Sequence, residues 1–455
     1  MKNILYAFAA ALLMMSCGGN EKKPAPFAEG EFKQWAQTPP MGWNSWDCYG
    51  PTVMEKEVRA NTDYMAEKLK QYGWEYIVVD IRWFVANDTA GGYNQVDPQY
   101  VLDEYGRYQP AVNRFPSAAD GKGFKELADY VHSKGLKFGI HIMRGIPKVA
   151  VEKKLPVLGA DGVTADQIYS PEGQCGWLRD NYTIVADRPG AQEYYNSIID
   201  LYASWGVDFI KVDDMSSPYH KEEIELVRNA IDHCGRPIVL SLSPGQTPVA
   251  EASHVTSHAN MWRMVEDVWD KWEDVVHLLD VAQGWYPYIA PGTWPDCDMI
   301  PLGRISVRGE VGVDRMTRLT RDEQYSLMTL FTIFRSPLMF GGDMPSNDDF
   351  TLSLLTNEEV LKMHREAADV RQLFQDESSV AITSRHPKTG EVYLALFNKG
   401  DDKDREVGVS LADLGLDGTC EAVDLWTGES LGEVSGKFAQ TLRPHASGLY
   451  RLKTK

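Results

Sequence analysis

The chain has 455 residues, of which 43% are hydrophobic, enough for a large core and a smaller second one, so we expect two domains. Its 46 Lys and Arg against 65 Asp and Glu give a net charge of −19, which repels phosphate backbones and anionic lipid surfaces. This balance argues against nucleic acid as a partner. Apart from Cys17, the cysteines form no CxxC pair and have no regular spacing, so they indicate neither a disulfide framework nor a zinc site.

The first residues have the pattern of an export signal. Lys2 precedes an apolar run over 4–15 that is too short for a permanent membrane span. The run is followed by Ser16-Cys17, which resembles a bacterial lipobox, so we expect a signal peptide over 1–17 with Cys17 as the lipidated residue. Residues 18–34 are polar and lack periodicity, which is typical of a flexible tether. The expected location is the bacterial cell envelope, with membrane contact only through the lipid.

Residues 35–375 alternate short apolar segments with longer amphipathic ones, the pattern of repeated βα units and a parallel sheet. Several of the helix-like stretches end at a glycine, as helices commonly do. Eight repeats favour a (β/α)₈ barrel over an open doubly wound sheet. The predicted strands are 41–46, 76–80, 137–142, 209–213, 238–243, 260–264, 286–290 and 338–341, and the clearest predicted helices are 55–72, 123–134, 192–205 and 222–233.

The pattern changes after about residue 378, where apolar residues recur with period two between turn residues. We therefore predict a small C-terminal antiparallel β-sandwich over 376–455. Its predicted strands are 380–383, 391–397, 405–410, 420–424 and 448–452.

Polar residues that close the predicted barrel strands are the candidates for chemistry, because barrel active sites form at the C-terminal ends of strands. A single carboxylate in such a position is more often a helix cap or a solvated loop residue, so the signal is their convergence on one rim. The candidates are Asp80, Lys211, Asp213, Arg263, Asp267, Asp296, Asp298 and Asp343.

Two carboxylates in different environments suit glycoside hydrolysis, in which one attacks the anomeric carbon and the other protonates the leaving oxygen. Lys211 lies two residues before Asp213, so on a strand the ammonium shares a face with the carboxylate and favours its ionised form. Asp267 has apolar and acidic neighbours in the sequence, which favour a proton donor. The alternatives are a structural ion pair for Lys211 and Asp213, and a core stacking interaction for Trp262 and Arg263.

Several segments of the chain resemble the α-galactosidases of glycoside hydrolase family 27. The segment TPPMGWNSW over 38–46 looks like the opening of these enzymes, and WGVDFIKVD over 205–213 resembles their nucleophile strand. The segment WRMVED over 262–267 resembles their acid/base segment. Later similarities are PGTWPDCDMI over 291–300, SPLMFGGD over 336–343, and the close of the C-terminal domain over 442–452.

The resemblance implies a retaining mechanism without a metal or organic cofactor, with Asp213 as nucleophile and Asp267 as acid/base. It also implies that Lys211 and Arg263 hold sugar hydroxyls and that Trp46 faces the ring. Asp80 and Asp298, which follow predicted strands, are also predicted to bind the substrate. The expected partner of the protein is a carbohydrate.

Three departures from the family pattern concern which sugar is bound. Family members usually have an Asp-Asp pair after the second strand, but here Asp80 is followed by Ile81. A usual Tyr on the third strand is His141, and a usual Glu after the fifth strand is replaced near Ser243. Because a site built to hydrogen-bond a hydroxyl discriminates strongly, these changes imply altered specificity.

The predicted function is therefore a retaining exo-α-glycosidase acting on terminal α-D-galactosides. Related alternatives are enzymes resembling isomalto-dextranases or β-L-arabinopyranosidases. Two readings from other classes also stay open. One is a catalytically silent carbohydrate-binding protein, and the other is a metal-dependent lyase or isomerase with Asp213, Asp214, Asp296 and Asp298 as ligands of a hard cation.

Overall fold

A computed structural model of the protein describes residues 25–455. Cys17 and the signal peptide predicted over 1–17 lie outside the described residues. The first part of the chain forms a barrel of eight parallel strands whose residues are almost all buried, as expected when helices cover the outside and side chains fill the inside. These strands are β1 (Met41–Asn44), β2 (Tyr76–Val79), β3 (Lys137–Met143), β4 (Phe209–Asp213), β5 (Val239–Leu242), β6 (Met261–Arg263), β7 (Trp294–Asp296) and β8 (Leu338–Phe340).

Each barrel strand is followed by at least one helix, and the helices predicted from periodicity all form. The first of them continues in π and 3₁₀ turns as far as Tyr72, which matches the predicted end. The main helices are α1 (Glu55–Tyr64), α2 (Lys125–Ser133), α3 (Ala191–Ser204), α4 (Lys221–His233), α5 (Ala252–His258), α6 (Trp272–Ala282), α7 (Arg321–Phe334), α8 (Asp349–Leu355) and α9 (Glu358–Glu366), with shorter helices at Trp46–Tyr49 and Lys148–Glu152.

Pairing runs around the barrel in the order β7, β6, β5, β4, β3, β2, β1 and β8. The ring closes through Met299–Ile300, a short strand just beyond β7 that pairs in parallel with β8. Asp298 lies between these two segments with a φ of 86°, a left-handed conformation that bends the chain there. The bend turns this carboxylate towards the end of β6, where it contacts Arg263.

The seventh strand was predicted wrongly. The aromatic segment 286–290 forms a 3₁₀ turn at Tyr286–Tyr288, and the strand is Trp294–Asp296. Pro287 at the start of the turn presets its backbone, whereas Pro295 inside the true strand argues against a strand in a sequence reading. The other barrel strands lie where they were predicted, mostly with shorter ends.

The tether predicted over 18–34 does not extend to residue 34. Glu31–Ala36 form a 3₁₀ helix, and Phe32 is buried at 1% exposure beneath the guanidinium of Arg228, 4.9 Å from its ring centroid. The carbonyl of Phe32 accepts a hydrogen bond from the side chain of Asn260 next to β6. This stretch therefore packs on the end of the barrel opposite the predicted site.

The C-terminal part of the chain is the predicted antiparallel β-sandwich. Its strands are β9 (Ala368–Gln375), β10 (Ser379–Arg385), β11 (Val392–Asn398), β12 (Arg405–Ser410), β13 (Thr419–Asp424), β14 (Ser430–Ser435), β15 (Lys437–Leu442) and β16 (Ser447–Thr454). A six-stranded sheet in the order β9, β10, β11, β16, β13 and β14 faces a two-stranded sheet of β12 and β15. The first strand, β9, lies before the boundary predicted at residue 376.

Smaller elements decorate the loops on the barrel's C-terminal face. A three-stranded antiparallel sheet follows β3, and a two-stranded one follows β7. In residues 25–455, no helix is both long enough and apolar enough to cross a membrane. The short strands are Ile146–Pro147, Tyr169–Ser170, Asn181–Ile184, Arg304–Ile305 and Arg315–Met316.

Candidate active site

A cavity of about 660 Å³ opens at the C-terminal ends of the barrel strands, where the sequence placed the site. Most of the predicted site residues line it, whereas the predicted His141, Asp296, Asp298 and Asp343 do not. The predicted residues on the wall are Trp46, Asp80, Ile81, Lys211, Asp213, Ser243, Arg263 and Asp267.

Asp213 is the last residue of β4 and is 8% exposed on the cavity wall. One carboxylate oxygen lies 2.8 Å from Nε2 of His141, and the other accepts the backbone N–H of Asp214 at 2.8 Å. Burial raises the pKa of Asp213, but the hydrogen bond and charge of His141, together with Lys211, outweigh it and lower the pKa to about 2. The carboxylate is therefore ionised at neutral pH, as a nucleophile requires.

Lys211 and Asp80 form a buried pair beside Asp213. The Lys211 ammonium donates to Oδ2 of Asp80 at 3.1 Å, and the side-chain amide of Asn44 donates to the same oxygen at 2.7 Å. Burial lowers the pKa of Lys211, but the negative charges of Asp80 and Asp213 raise it by more than burial lowers it. The pKa is therefore above the ordinary lysine value, and the ammonium stays protonated. Lys211 thus offers a fixed cation to sugar hydroxyls, and the paired carboxylate offers an acceptor.

Asp267 lies across the site on the loop after β6, where Arg263 holds it. Nη2 of Arg263 donates to Oδ1 of Asp267 at 3.0 Å, while its Nη1 is 2.7 Å from Oδ1 of Asp298. The side chain of Asp267 is 53% exposed. The apolar neighbours of Asp267 in the sequence therefore do not shield its carboxyl as predicted, because Val265 and Val268 are buried and the carboxyl between them faces the cavity.

His141 and Asp298 support residues on the cavity wall rather than lining it. His141 is fully buried on β3 and reaches Asp213 from behind. Asp298 is 2% exposed, pairs with Arg263, and accepts the backbone N–H of Val268 at 2.8 Å. Burial and the charge of Asp267 raise the pKa of Asp298 to about 7, against the opposing effect of Arg263. These two residues therefore position Asp213 and the Arg263–Asp267 pair.

Ile81 and Ser243, two of the residues predicted to influence specificity, both line the cavity. Ile81 follows Asp80 directly after β2, and its side chain lines the cavity. Its backbone N–H donates to Oδ1 of Asp80 at 2.8 Å, which fixes the turn that brings both side chains to the wall. Ser243, just after β5, is buried, and its hydroxyl has no hydrogen-bond partner among residues 25–455.

An aromatic wall lies on one side of the cavity, and of its three rings only Trp46 was predicted. The ring of Trp46 stacks on Tyr93 with a centroid distance of 5.6 Å, and Tyr93 contacts Trp177 at 5.9 Å. Flat aromatic faces of this kind pack against the apolar faces of sugar rings. Tyr93 and Trp177 come from long loops after β2 and β3, and nothing in their local sequence marks them as neighbours.

A buried ion pair fastens these two loops together. Arg82 donates to both oxygens of Asp180 at 2.8 and 2.6 Å, and the hydroxyl of Tyr100 donates to Asp180 at 2.5 Å. The Arg82 guanidinium also lies 5.5 Å from the ring centroid of Tyr93. The aromatic wall is thus held by charge-assisted contacts beneath it.

Comparison with known families agrees with this geometry. The family model described as alpha galactosidase A matches residues 38–151 and 164–366, and that described as the alpha galactosidase C-terminal beta sandwich domain matches residues 377–452. The chain belongs to glycoside hydrolase family 27. It is therefore a glycoside hydrolase, as predicted, and this result favours an enzyme over the silent carbohydrate-binding alternative.

Relatives of this family 27 enzyme carry more than one activity. The α-galactosidase A of Cellvibrio japonicus is 29% identical over 390 residues, covering 82% of this chain and 78% of that protein. The α-galactosidase of Cyamopsis tetragonoloba is 28% identical over 91% of this chain and 86% of its own length. A β-L-arabinopyranosidase from Geobacillus stearothermophilus, solved in complex with arabinose, is 50% identical over 94% of this chain and 100% of its own, with a TM-score of 0.92.

The aspartates of the alternative metal site do not form one ligand set in this family 27 enzyme. Asp213 contacts His141, Asp214 pairs with Arg144 at 2.8 Å, and Asp298 pairs with Arg263. Within residues 25–455, they do not form a group whose ligand atoms could close on one cation. The geometry does not support a hard-cation centre at the cavity.

Two further carboxylates on the cavity wall were not predicted. Glu266 precedes Asp267, and Glu310 comes from the loop after β7. Burial, and then the charge of Asp267, raises the pKa of Glu310. Both are exposed residues on loops, so their sequence positions gave no signal that they reach the site.

Proposed function

We propose that this enzyme is a retaining, exo-acting glycosidase that releases terminal β-L-arabinopyranosyl residues. The observation that carries the proposal is Ile81, an apolar side chain next to Asp80 on the cavity wall. At this position the α-galactosidases resembled by the sequence have the second carboxylate of an Asp-Asp pair that holds the 4- and 6-hydroxyls. The similarity at 50% identity to a β-L-arabinopyranosidase adds independent support.

The chemistry of the two sugars explains the choice. The ring hydroxyls of β-L-arabinopyranose have the configuration of those of α-D-galactopyranose, but the pentose lacks the exocyclic hydroxymethyl group. A carboxylate that would bind the 6-hydroxyl has no partner on the pentose and would be desolvated at a cost. An isoleucine in its place fills the volume with apolar surface, while Asp80 and Lys211 still offer polar atoms to the ring hydroxyls.

In the proposed mechanism, Asp213 attacks the anomeric carbon and forms a glycosyl ester as the glycosidic bond breaks. Asp267 gives its proton to the departing oxygen and then, as a base, removes a proton from the water that hydrolyses the ester. The low pKa of Asp213 supports the first role, because the nucleophile must be ionised before attack. The exposure of Asp267 on the cavity wall supports the second, because the departing oxygen and the attacking water must both reach this carboxyl, which regains from the water the proton that it gave up.

Terminal α-D-galactoside is the second candidate substrate. It is favoured by the retained Asp80–Lys211 pair and by the α-galactosidases among the curated relatives. Both substrates use the same two carboxylates and the same stereochemical course, so the choice between them lies in the pocket around Ile81.

Rates on aryl β-L-arabinopyranoside, α-D-galactoside, α-D-glucoside and α-N-acetylgalactosaminide test the proposal. We expect the highest kcat/KM on the arabinopyranoside and measurable but lower activity on the galactoside. A kcat/KM that is greater on the galactoside would overturn the pentose assignment and leave the second candidate.

We also propose that the enzyme is exported and anchored by a lipid at Cys17. Support comes from Lys2, the apolar run over 4–15 and the Ser16-Cys17 ending of that run. Metabolic labelling with a radioactive fatty acid should mark the wild-type protein in its native type of host and leave Cys17→Ser unmarked. Equal labelling of both proteins, or none of the wild type, would contradict the anchor.

A further inference from the structure

Three side chains of the metal-binding kind meet away from the cavity, on the outer helical layer. Glu225 comes from α4, and His254 and His258 come from α5. The spacing of four residues puts both histidines on one face of their helix. One ligand atom from each of the three residues lies within 4.8 Å of the others, and all three residues are partly exposed.

The hydrogen bonds around the histidines leave the Nε2 lone pair of His258 for a metal and allow His254 to offer one after a change of tautomer. Nδ1 of His258 is 2.7 Å from the backbone carbonyl of His254, and a carbonyl can only accept, so the proton is on Nδ1 and the lone pair is on Nε2. Nδ1 of His254 lies 2.6 Å from the hydroxyl of Tyr219, and its Nε2 lies 3.2 Å from Oε1 of Glu225. A tyrosine hydroxyl can donate or accept, so it serves either tautomer of His254.

From this arrangement we propose that Glu225, His254 and His258 bind a divalent transition-metal ion of the Zn²⁺ type. Tetrahedral zinc with metal–ligand distances of about 2.0–2.2 Å places its ligand atoms roughly 3.3 Å apart. The separation between His254 Nε2 and Glu225 Oε1 already has this size. The rings of His254 and His258 stack with centroids 4.0 Å apart, so one ring must rotate about its side-chain torsions before both in-plane lone pairs point to the ion. Two imidazoles and one carboxylate, with water in the fourth position, form a donor set that suits zinc rather than calcium or magnesium.

Metal binding requires one proton to change place within His254. In the metal-free state Nε2–H donates to Glu225, and Nδ1 accepts from Tyr219. In the bound state the proton is on Nδ1 and is donated to the Tyr219 oxygen, while the Nε2 lone pair binds the ion. Contacts of this kind orient metal-binding histidines and fix their tautomer, so Tyr219 has the position of an outer-sphere partner.

The ion would fasten α5 to α4 and hold the loop that carries Tyr219. Ser217 in the same loop lines the active-site cavity, so the ion would stabilise one rim of the site from outside. The net charge of −19 also favours accumulation of cations at the protein surface. A ligand that binds only the native state raises the melting temperature with its concentration. We therefore expect Zn²⁺ to raise the Tm of the enzyme.

Calorimetric titration of the chelator-stripped enzyme with Zn²⁺ tests the site, with Tm measured in parallel. We expect one ion per chain and a rise in Tm, together with a loss of affinity of more than about tenfold in His258→Ala and in Glu225→Gln. The Tm of each variant in chelator shows that it is folded. His277→Ala is the matched control, because His277 is an exposed histidine on another barrel helix, and it should bind like the wild type.

The proposal is overturned if the wild type binds no stoichiometric Zn²⁺, or if both site variants bind it as tightly as the wild type. Absorption of the Co²⁺-substituted protein adds a readout of geometry. A tetrahedral spectrum that disappears in His258→Ala supports the site, and a spectrum unchanged in that variant rejects it.

Discussion

At the scale of single residues, Asp213 is the first to test. Asp213→Ala removes the proposed nucleophile, so turnover should fall by at least about four orders of magnitude. Azide can enter the space left by the carboxylate and attack in its place, so it should restore part of the rate and give a glycosyl azide. The prediction is checked by measuring the rates with and without azide and the anomeric configuration of the product. The Tm shows whether the variant is folded. Near-wild-type turnover of a folded variant would remove Asp213 from its role.

The interaction of His141 with Asp213 predicts a change in pH dependence. Burial raises the pKa of Asp213, and the hydrogen bond and charge of His141 are the first of the effects that lower it to about 2. In His141→Phe the burial remains and the lowering effect of His141 is lost, so the pKa of Asp213 should rise. Because the nucleophile must be ionised, the acid limb of the kcat/KM profile should move to higher pH.

Profiles of kcat/KM from acid to neutral pH measure this shift. His277→Phe on α6 is the control, because its exposed side chain lies on the outer helical layer, and its profile should match that of the wild type. An acid limb that stays in place in His141→Phe would show that other contacts hold Asp213 ionised.

Ile81 is expected to set the preference between pentose and hexose. Ile81→Asp places a carboxylate where the 6-hydroxyl of a galactoside would lie, so the preference should move towards α-D-galactoside by roughly 1–3 kcal/mol in transition-state binding. The size-matched control Ile81→Leu should keep the wild-type ratio. The measurement is kcat/KM on both aryl glycosides, with Tm recorded. A lower Tm with an unchanged ratio would show that Ile81 is only a packing residue.

At the scale of elements, the loops after β2 and β3 bring the aromatic wall to the site. Trp177 is 39% exposed at the cavity, and its ring lies 5.9 Å from that of Tyr93, so it is suited to a second sugar beyond the cleaved bond. Trp177→Ala should raise KM for oligosaccharides by about tenfold, corresponding to one stacking contact, and leave aryl glycosides almost unchanged. The exposed Val249→Ala is a control outside the cavity. Equal effects on both substrate types would contradict the subsite.

The sequence predicts the residues that local patterns place in the fold, but it does not predict those placed by contacts between residues far apart along the chain. Asp80, Lys211 and Asp213 were predictable because each closes an apolar strand, and the end of a barrel strand has a fixed place in the fold. Tyr93 and Trp177 were not, because their position depends on Arg82 reaching Asp180 across 98 residues of chain. The local sequence around these residues does not indicate such a contact.

The seventh strand shows the opposite kind of failure. The segment 286–290 is rich in aromatic residues and looks like a strand, but it forms a turn on the barrel's outer layer. Trp294–Asp296 is only three residues long and contains a proline, so its pairing with β6 comes from closure of the barrel rather than from propensity. The motif resemblance, which covers 291–300, was the better guide there.

At the scale of the whole molecule, the C-terminal sheet shares its core with the barrel. Consecutive residues of β11 point to opposite sides: Phe397 belongs to the hydrophobic core that includes the barrel, and Leu396 belongs to the separate core inside the sandwich. A ring stack and a hydrogen bond also join the C-terminal domain to the barrel. The ring of His445 stacks on Trp272 of α6 at 4.3 Å, and the indole N–H of Trp426 donates to Thr329 of α7 at 2.9 Å. The two domains are therefore expected to unfold together.

This expectation is tested with the neighbouring variants Leu396→Ala and Phe397→Ala. Both residues are fully buried, and the two truncations should cost about 2–5 and 3–5 kcal/mol respectively, through lost contacts and the cavities left behind. Because the sandwich covers the apolar face of α7, its loss would expose barrel core, so each variant should show one calorimetric transition at a lower temperature. Activity should disappear in the same transition. If Leu396→Ala instead gave an early transition that left the hydrolase active, the sandwich would be an independent unit, and its packing on α7 would contribute little to the stability of the catalytic barrel.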